Sequence, residues 1–261
     1  MVPRVPGRTG RAAVMIGAAL LAAGATSVRA DALTSDQFQE LLQQDKAILE
    51  ELQQIHLMLE RQRPARTTAE GMRAPDSKVR IALRSDELAI GSANAPLTLI
   101  EFTDYQCPFC RQFHEAAFGD IKKIYIDTGR LRFISRDFPL EMHQNAMRAS
   151  LAARCAGEQG KFWELRDLMI ANGNRLNPPS IDSYANQLKL DSGRLDKCIK
   201  SGPYQARVDQ DTAEGKTAGI AGTPSFVLGR TGKDSVEGIT LVGAMSSAAF
   251  DARVRDFLAT P

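Results

Sequence analysis

The stretch "EFTDYQCPFCRQF" (residues 101–113) separates Cys107 from Cys110 by two residues, between an apolar run and a helix-like one. A C-x-x-C pair serves in zinc sites, in redox centres and in small structural loops, so the spacing alone leaves its chemistry open. The neighbouring residues define the fold around it. "PLTLIEF" (96–102) is a short β-rich run, and "CPFCRQFHEAAFGDIKKIYIDTG" (107–129) places Phe113, Ala117, Ile121, Ile124 and Tyr125 on one helical face that ends at Gly129. "RLRFISRDF" (130–138) reads as a strand, and the order strand, helix, strand predicts a βαβ unit with parallel strands.

At such a strand-to-helix junction Cys107 falls in the first helical turn, where unpaired backbone N–H groups and the helix dipole favour an anion. A thiolate is such an anion, so the Cys107 pKa should fall and exchange at its sulfur should be fast. Pro108 suits an early helical position, which needs no N–H. Cys110, one turn on and more enclosed, is the expected resolving thiol. A zinc site usually needs four ligands. The chain has three histidines, His56, His114 and His143; the last two read as surface or packing residues. Two thiolates alone suit copper(I), so a copper-carrying metallochaperone stands as the alternative reading. Otherwise no metal and no cofactor is expected.

Outward from this unit, residues 141–219 change to a run of helices. "NAMRASLAARCAG" and "KFWELRDLMIAN" come first, then "SIDSYANQLKL", "GRLDKCIKS" and "YQARVDQDTAEGKTAG", with breaks marked by Gly173, Pro178, Pro179 and Gly202. Strands resume with "PSFVLG" (224–229) and "GITLVGA" (238–244), joined by the polar "RTGKDSVE". "SSAAFDARVRDFLA" closes the chain as a helix capped by Ser246 or Ser247. The expected fold is α/β, its first part at 79–140 and second part at 220–261, interrupted by a helical domain at 141–219.

The N-terminal residues carry Arg4, Arg8 and Arg11, an apolar run of 14 residues from Ala12 to Ala25, and then Val28-Arg29-Ala30. This is the layout of a secretory signal peptide at 1–30; a spanning helix needs roughly 20 apolar residues. No later run reaches that length, so a soluble periplasmic protein is expected. The formal net charge of +2 gives no sign of a nucleic-acid partner. In an oxidising compartment the remaining cysteines, Cys155 and Cys198, most simply bond to each other, with free buried thiols as the alternative. That bond would close a loop of 42 intervening residues and stabilise the fold by ~4 kcal/mol in the chain-entropy model.

Between these parts, Phe38, Leu41, Ile48, Leu52, Ile55 and Leu59 fall at spacings of three and four in an amphipathic, coiled-coil-like helix within 31–63, with only Asp45 breaking the seam. Such a helix either lies on its own domain or, tethered by the polar, Pro- and Gly-containing linker 64–78, pairs with a second copy through residues 35–62.

"APLTLIEFTDYQCPFC", the helical insertion and "GIAGTPSFVLG", in that order over about residues 79–260, resemble the DsbA-like branch of the thioredoxin-fold thiol-disulfide oxidoreductases. The resemblance implies an exposed nucleophile at Cys107, a buried partner at Cys110, and a cis Thr223–Pro224 bond beside the pair, with the Thr223 backbone free to pair with a bound substrate strand. It also implies that Glu101 lies beneath the buried cysteine as a candidate acid/base. Pro108 and Phe109 would tune the redox poise, although the Pro-His dipeptide of the best-known oxidants is absent. The implied activity is forming or rearranging disulfides in exported proteins, with a membrane redox partner. Monomeric relatives tend to be oxidases and oligomeric ones isomerases or reductases, so the direction of electron flow stays open.

Overall fold

The computed structural model describes residues 77–259 and, upstream, five isolated helical positions, Gln39, Gln43, Gln44, Ile48 and Glu51. The chain divides into two units, 1–65 and 66–261. The expected signal segment at 1–30, nearly all of the helix at 31–63 and most of the linker at 64–78 lie outside the described residues.

In the second unit six strands form one mixed sheet. They are β1 (Lys78–Ala82), β2 (Ala89–Ile90), β3 (Leu97–Thr103), β4 (Leu131–Asp137), β5 (Ser225–Thr231) and β6 (Ser235–Val242), in the order β1-β6-β5-β3-β4-β2. β3 pairs parallel with β4, Leu97 opposite Leu131, and antiparallel with β5, Leu99 opposite Leu228. All seven of its residues are buried, as a strand covered on both faces requires. Leu97 and Leu99 pack with Phe113, Ala117, Phe226 and Phe250 on one face; Ile100 and Phe102 pack with Ile134, Val227 and Ile220 on the other. Side chains alternate along a strand, so Glu101 points to the same face as Leu97 and Leu99.

The helical run that follows β3, here α1, is α-helical at Pro108–Phe113 and Gly119–Ile121 and π-helical at His114–Phe118 and Lys122–Ile126. Each i→i+5 turn adds a residue to the turn and slips the buried face by about one position. The expected face is corrected at its end: Ile124 is exposed, and Ile126 is buried instead. The β5–β6 hairpin is also tighter than expected. Thr231 pairs with Val236, the strands extend into the polar segment, and the Gly232 N–H bonds the Ser235 carbonyl at 2.8 Å across a turn of three residues.

Between β4 and β5 stand α2 (Ala146–Gly157), α3 (Phe162–Ala171), α4 (Pro178–Gln187), α5 (Ser192–Ser201) and α6 (Gln205–Thr217). They enclose their own core around the Ala-rich α2, and the Cys155–Cys198 disulfide joins α2 to α5 within it. Pro178 and Pro179 open α4, behind an Asn177 side chain that accepts from the Ser180 N–H; early helical positions tolerate the missing N–H. Gly202 ends α5 at φ +64°, a left-handed conformation that glycine adopts without strain. Buried ion pairs fasten the insertion to the sheet: Arg154 of α2 reaches Asp137 of β4 at 2.6 Å and also bonds Asp211 of α6. The chain closes with α7 (Ser247–Ala259), where the Ala249 N–H bonds Ser246 Oγ at 3.3 Å.

Candidate active site

β3 delivers the chain to Cys107, the N-cap of α1, with Pro108 as the first helical residue. Cys107 and Cys110 are free cysteines, both buried. The Cys107 sulfur lies 3.3 Å from the Thr223 carbonyl oxygen, and the Thr223–Pro224 peptide bond is cis. Pro224 leads into β5, and its carbonyl accepts from the Gly243 N–H at 2.9 Å. The two segments of the sequence pattern, more than a hundred residues apart, therefore meet at one sulfur.

The expected exposure of Cys107 is corrected: it is only 3% exposed. The Thr223–Pro224 segment covers one side, and the loop after α3 closes in from the insertion. A Cβ on Gly173 in that loop would come within 2.8 Å of the Tyr105 carbonyl oxygen, so only glycine fits there without a shift. Access to the sulfur is through a cavity of about 250 Å³ lined by Gln106, Pro108, Arg111, His143, Gly173 and Asn174. Phe109, the next residue of α1 after Pro108, is 58% exposed. A larger cavity, about 840 Å³, lies at the β1 edge among Val79, Ile81, Glu214 and Phe257. It holds neither thiol, and the chemistry marks the smaller one.

The two thiols are driven in opposite directions. A hydrogen bond from Cys110 lowers the Cys107 pKa to about 5, and Thr223 and the backbone N–H groups of Cys110 and Phe109 add to it against the effect of burial. Those N–H groups belong to the first turn of α1, where helix donors lack intrahelical partners. Cys110 is fully buried. Burial raises its pKa well above the ordinary value, and its bond to Cys107 and the Glu101 charge push the same way. The arrangement favours ionisation of Cys107 at the helix start and opposes it at Cys110 beneath.

Glu101 is fully buried within β3, two residues before its end, rather than a strand-end charge facing solvent. Arg166 Nη2 of α3 lies 2.5 Å from its Oε2, and His114 Nε2 lies 3.0 and 3.1 Å from its two oxygens. Burial raises the Glu101 pKa, but His114 and Arg166 outweigh it and the net shift is downward. Arg166, also fully buried, donates through Nε to Ser135 Oγ at 3.0 Å and rests against the Trp163 and Phe133 rings. The sequence pattern does not single out Arg166, and it reads His114 as a surface or packing residue. The unsolved signal was a carboxylate in an apolar strand, which demands a buried cation somewhere in the chain.

Asp104, which nothing in the sequence pattern singles out, is a second buried carboxylate near the pair. It is fully buried, and its Oδ1 accepts from the Gln106 N–H at 2.7 Å. Its Oδ2 accepts from the Leu140 N–H and from His143 Nδ1, each at 2.8 Å. The loop that presents Cys107 is thus pinned to the segment after β4.

The model of the family described as Thioredoxin matches residues 84–238, more than half of the chain. The chain belongs to the thioredoxin family. Within it, the helical insertion and the arrangement at Cys107 place the chain among DsbA-like thioredoxin-fold proteins. The structure of alpha-DsbA1 from Wolbachia pipientis superposes with a TM-score of 0.61 at 21% identity, over 68% of this chain and 93% of that one. DsbA2 from Pseudomonas aeruginosa gives a TM-score of 0.52 at 26% identity, over 68% and 96%. Among curated proteins, the Na(+)/H(+) antiporter NhaA 3 of Salinispora tropica is 34% identical over 167 residues, 63% of this chain and 25% of its own length. The chain therefore spans only about a quarter of such relatives. Among the described residues, no helix is long and apolar enough to cross a membrane.

Proposed function

We propose that this thioredoxin-family chain is an exported, periplasmic thiol-disulfide oxidoreductase that forms or rearranges disulfide bonds in exported proteins through Cys107 and Cys110. The observation that carries this reading is the opposed pair of thiols, Cys107 lowered to about 5 and Cys110 raised, at a helix start beside Thr223. In disulfide formation a substrate thiolate attacks the Cys107 sulfur of the oxidised pair. The Cys107–Cys110 bond breaks with its electrons onto Cys110, a second substrate thiolate resolves the mixed disulfide, and the protein is left reduced. A stabilised Cys107 thiolate lowers the energy of that reduced form, which favours the oxidising direction. A membrane quinone-linked oxidase is the fitting partner for reoxidation, and the Thr223 backbone is the fitting edge for an extended substrate.

Glu101 fits a proton relay only as an acceptor from Cys110, because Arg166 and His114 hold it ionised. The helix within 31–63 fits self-association, and two facing sites would favour isomerisation. The copper(I) reading requires both sulfurs as thiolates, and the environment of Cys110 opposes that.

The test is refolding of reduced and of scrambled ribonuclease by the full chain and by one lacking residues 31–63. Oxidation of the reduced substrate by both forms supports an oxidase; rescue of scrambled substrate by the full chain alone supports an isomerase. Cys107→Ser should abolish either activity and Cys110→Ser should trap mixed disulfides. Turnover that survives Cys107→Ser would sink the proposal.

A further inference from the structure

Asp104 and His143 form a pair at the Cys107 cavity, and the exchange between Cys107 and Cys110 leaves it without a task. The bonds of Asp104 fix the turn that carries the nucleophile: its carboxylate holds Gln106, Leu140 and His143, and its carbonyl accepts from the Cys107 N–H at 3.1 Å. His143 comes from the segment after β4 and is itself held by a bond from its N–H to the Leu140 carbonyl at 2.9 Å. A carboxylate only accepts, so Nδ1 carries the proton toward Asp104, and in the neutral ring Nε2 keeps a lone pair for another partner. The imidazole is 20% exposed. It lines the same cavity as Cys107. Among the residues bonded to it or lining its cavity, the charged or titratable groups are Asp104 from the turn after β3 and Cys107 and Arg111 from α1; the loop after α3 contributes the uncharged Gly173 and Asn174.

We propose that His143, oriented by Asp104, is the acid–base group for thiol exchange at Cys107. The dipeptide between the cysteines, Pro108-Phe109, supplies no imidazole. The fold brings one to the cavity that the sulfur lines, from 36 positions downstream of Cys107. This inference rests on Cys107 being the exchanging sulfur. An incoming substrate thiol gives its proton to His143 Nε2, and the resulting thiolate's electron pair forms the new S–S bond to Cys107. The Cys107–Cys110 bond breaks with its pair onto Cys110, so the substrate sulfur is oxidised and Cys110 reduced. After a second substrate thiolate attacks the mixed disulfide, Cys107 leaves as a thiolate facing the imidazolium. The second substrate thiol has given its proton to water before it attacks, and the first proton passes from His143 through solvent to the Cys110 sulfur, so the cycle ends with Cys110 as a thiol, one proton in water and His143 neutral again.

The experiment is stopped-flow reduction of the oxidised full chain by a cysteine-containing peptide between pH 6 and 10, followed by the thiolate absorbance at 240 nm. His143→Asn keeps an N–H where Nδ1–H meets Asp104 and removes Nε2; His143→Gln serves if the Asn variant fails to fold. The variant should react about tenfold more slowly than wild type well below the peptide thiol pKa of roughly 8.5, and the deficit should close above it, where the thiol ionises unaided. A variant as fast as wild type at every pH, or slower by the same factor at every pH, overturns the assignment. A wild-type protein whose disulfide no thiol reduces sinks the oxidoreductase reading and this inference with it, whereas a reactive wild type with an unaffected variant sinks this inference alone.

Discussion

Arg166 Nη2 lies 2.5 Å from Glu101 Oε2, both side chains are fully buried, and the arginine comes from the helical insertion while the carboxylate lies in the central strand. The insertion thereby reaches under the redox pair. Removing one partner of a buried ion pair leaves an uncompensated charge, at a cost of about 3–5 kcal/mol. Arg166→Met should therefore lower the unfolding free energy by about that much in urea titrations, and Glu101→Gln/Arg166→Met should recover most of the loss.

The same pair sets a pH dependence. The folded-state pKa of Glu101 is depressed below 4.5, so its contribution to stability is complete above that ordinary value and is lost as pH falls through the folded value. Acid unfolding of Glu101→Gln should be less steep below pH 4.5 than that of the wild type, as followed by circular dichroism.

Cys107 has the same sign at a higher pH. Its pKa falls from 9.0 to about 5, so the thiolate stabilises the reduced folded state fully above pH 9, and this is lost as pH falls through about 5. At pH 7 the linkage amounts to roughly 2–3 kcal/mol. The reduced protein should show a thiolate absorbance midpoint near 5 at 240 nm, and Cys110→Ala, which removes the hydrogen bond that lowers the Cys107 pKa most, should move that midpoint upward. A midpoint unchanged by Cys110→Ala would show that the first turn of α1 does the work alone.

Much of this was legible in the chain because its signals are local. The run into Cys107, the proline after it, the helical periods of 141–219 and the resumption of strands at Pro224 each follow from a few adjacent residues. β1 and β2 were not legible. β1 has only Val79 and Ile81 facing the core between exposed Lys78 and Arg80, and β2 is two residues long; both exist because β6 and β4 offer them an edge. The π turns of α1 escaped because they change the period the reading assumes. Arg166, Asp104 and His143 escaped for another reason. Their meaning lies in pairings across 65 and 39 positions that the fold creates, and a lone arginine or histidine on a helix or in a loop reads as solvent-facing or packing.

The Cys155–Cys198 disulfide sits in the core of the insertion and joins α2 to α5. Its sequence separation of 43 corresponds to ~4 kcal/mol of unfolded-state entropy. Cys155→Ala/Cys198→Ala should lose about that stability in urea and leave the Cys107 titration where it was, because neither residue is among the groups that act on the Cys107 thiol.

Phe109 offers the test of how the redox poise is set. It is 58% exposed beside Cys107, so replacing it should perturb the fold little and the sulfur more. Phe109→His would add an imidazole at the start of α1, where a positive charge stabilises the thiolate. A fall of about one unit in the Cys107 midpoint would correspond to about 1.4 kcal/mol and about 30 mV toward a more oxidising potential. Glutathione redox equilibria of wild type and variant measure the second quantity, and the 240 nm titration the first. The two should move together, since the thiolate exists only in the reduced form; a shifted midpoint with an unshifted potential would mean that the substitution stabilises the disulfide form equally.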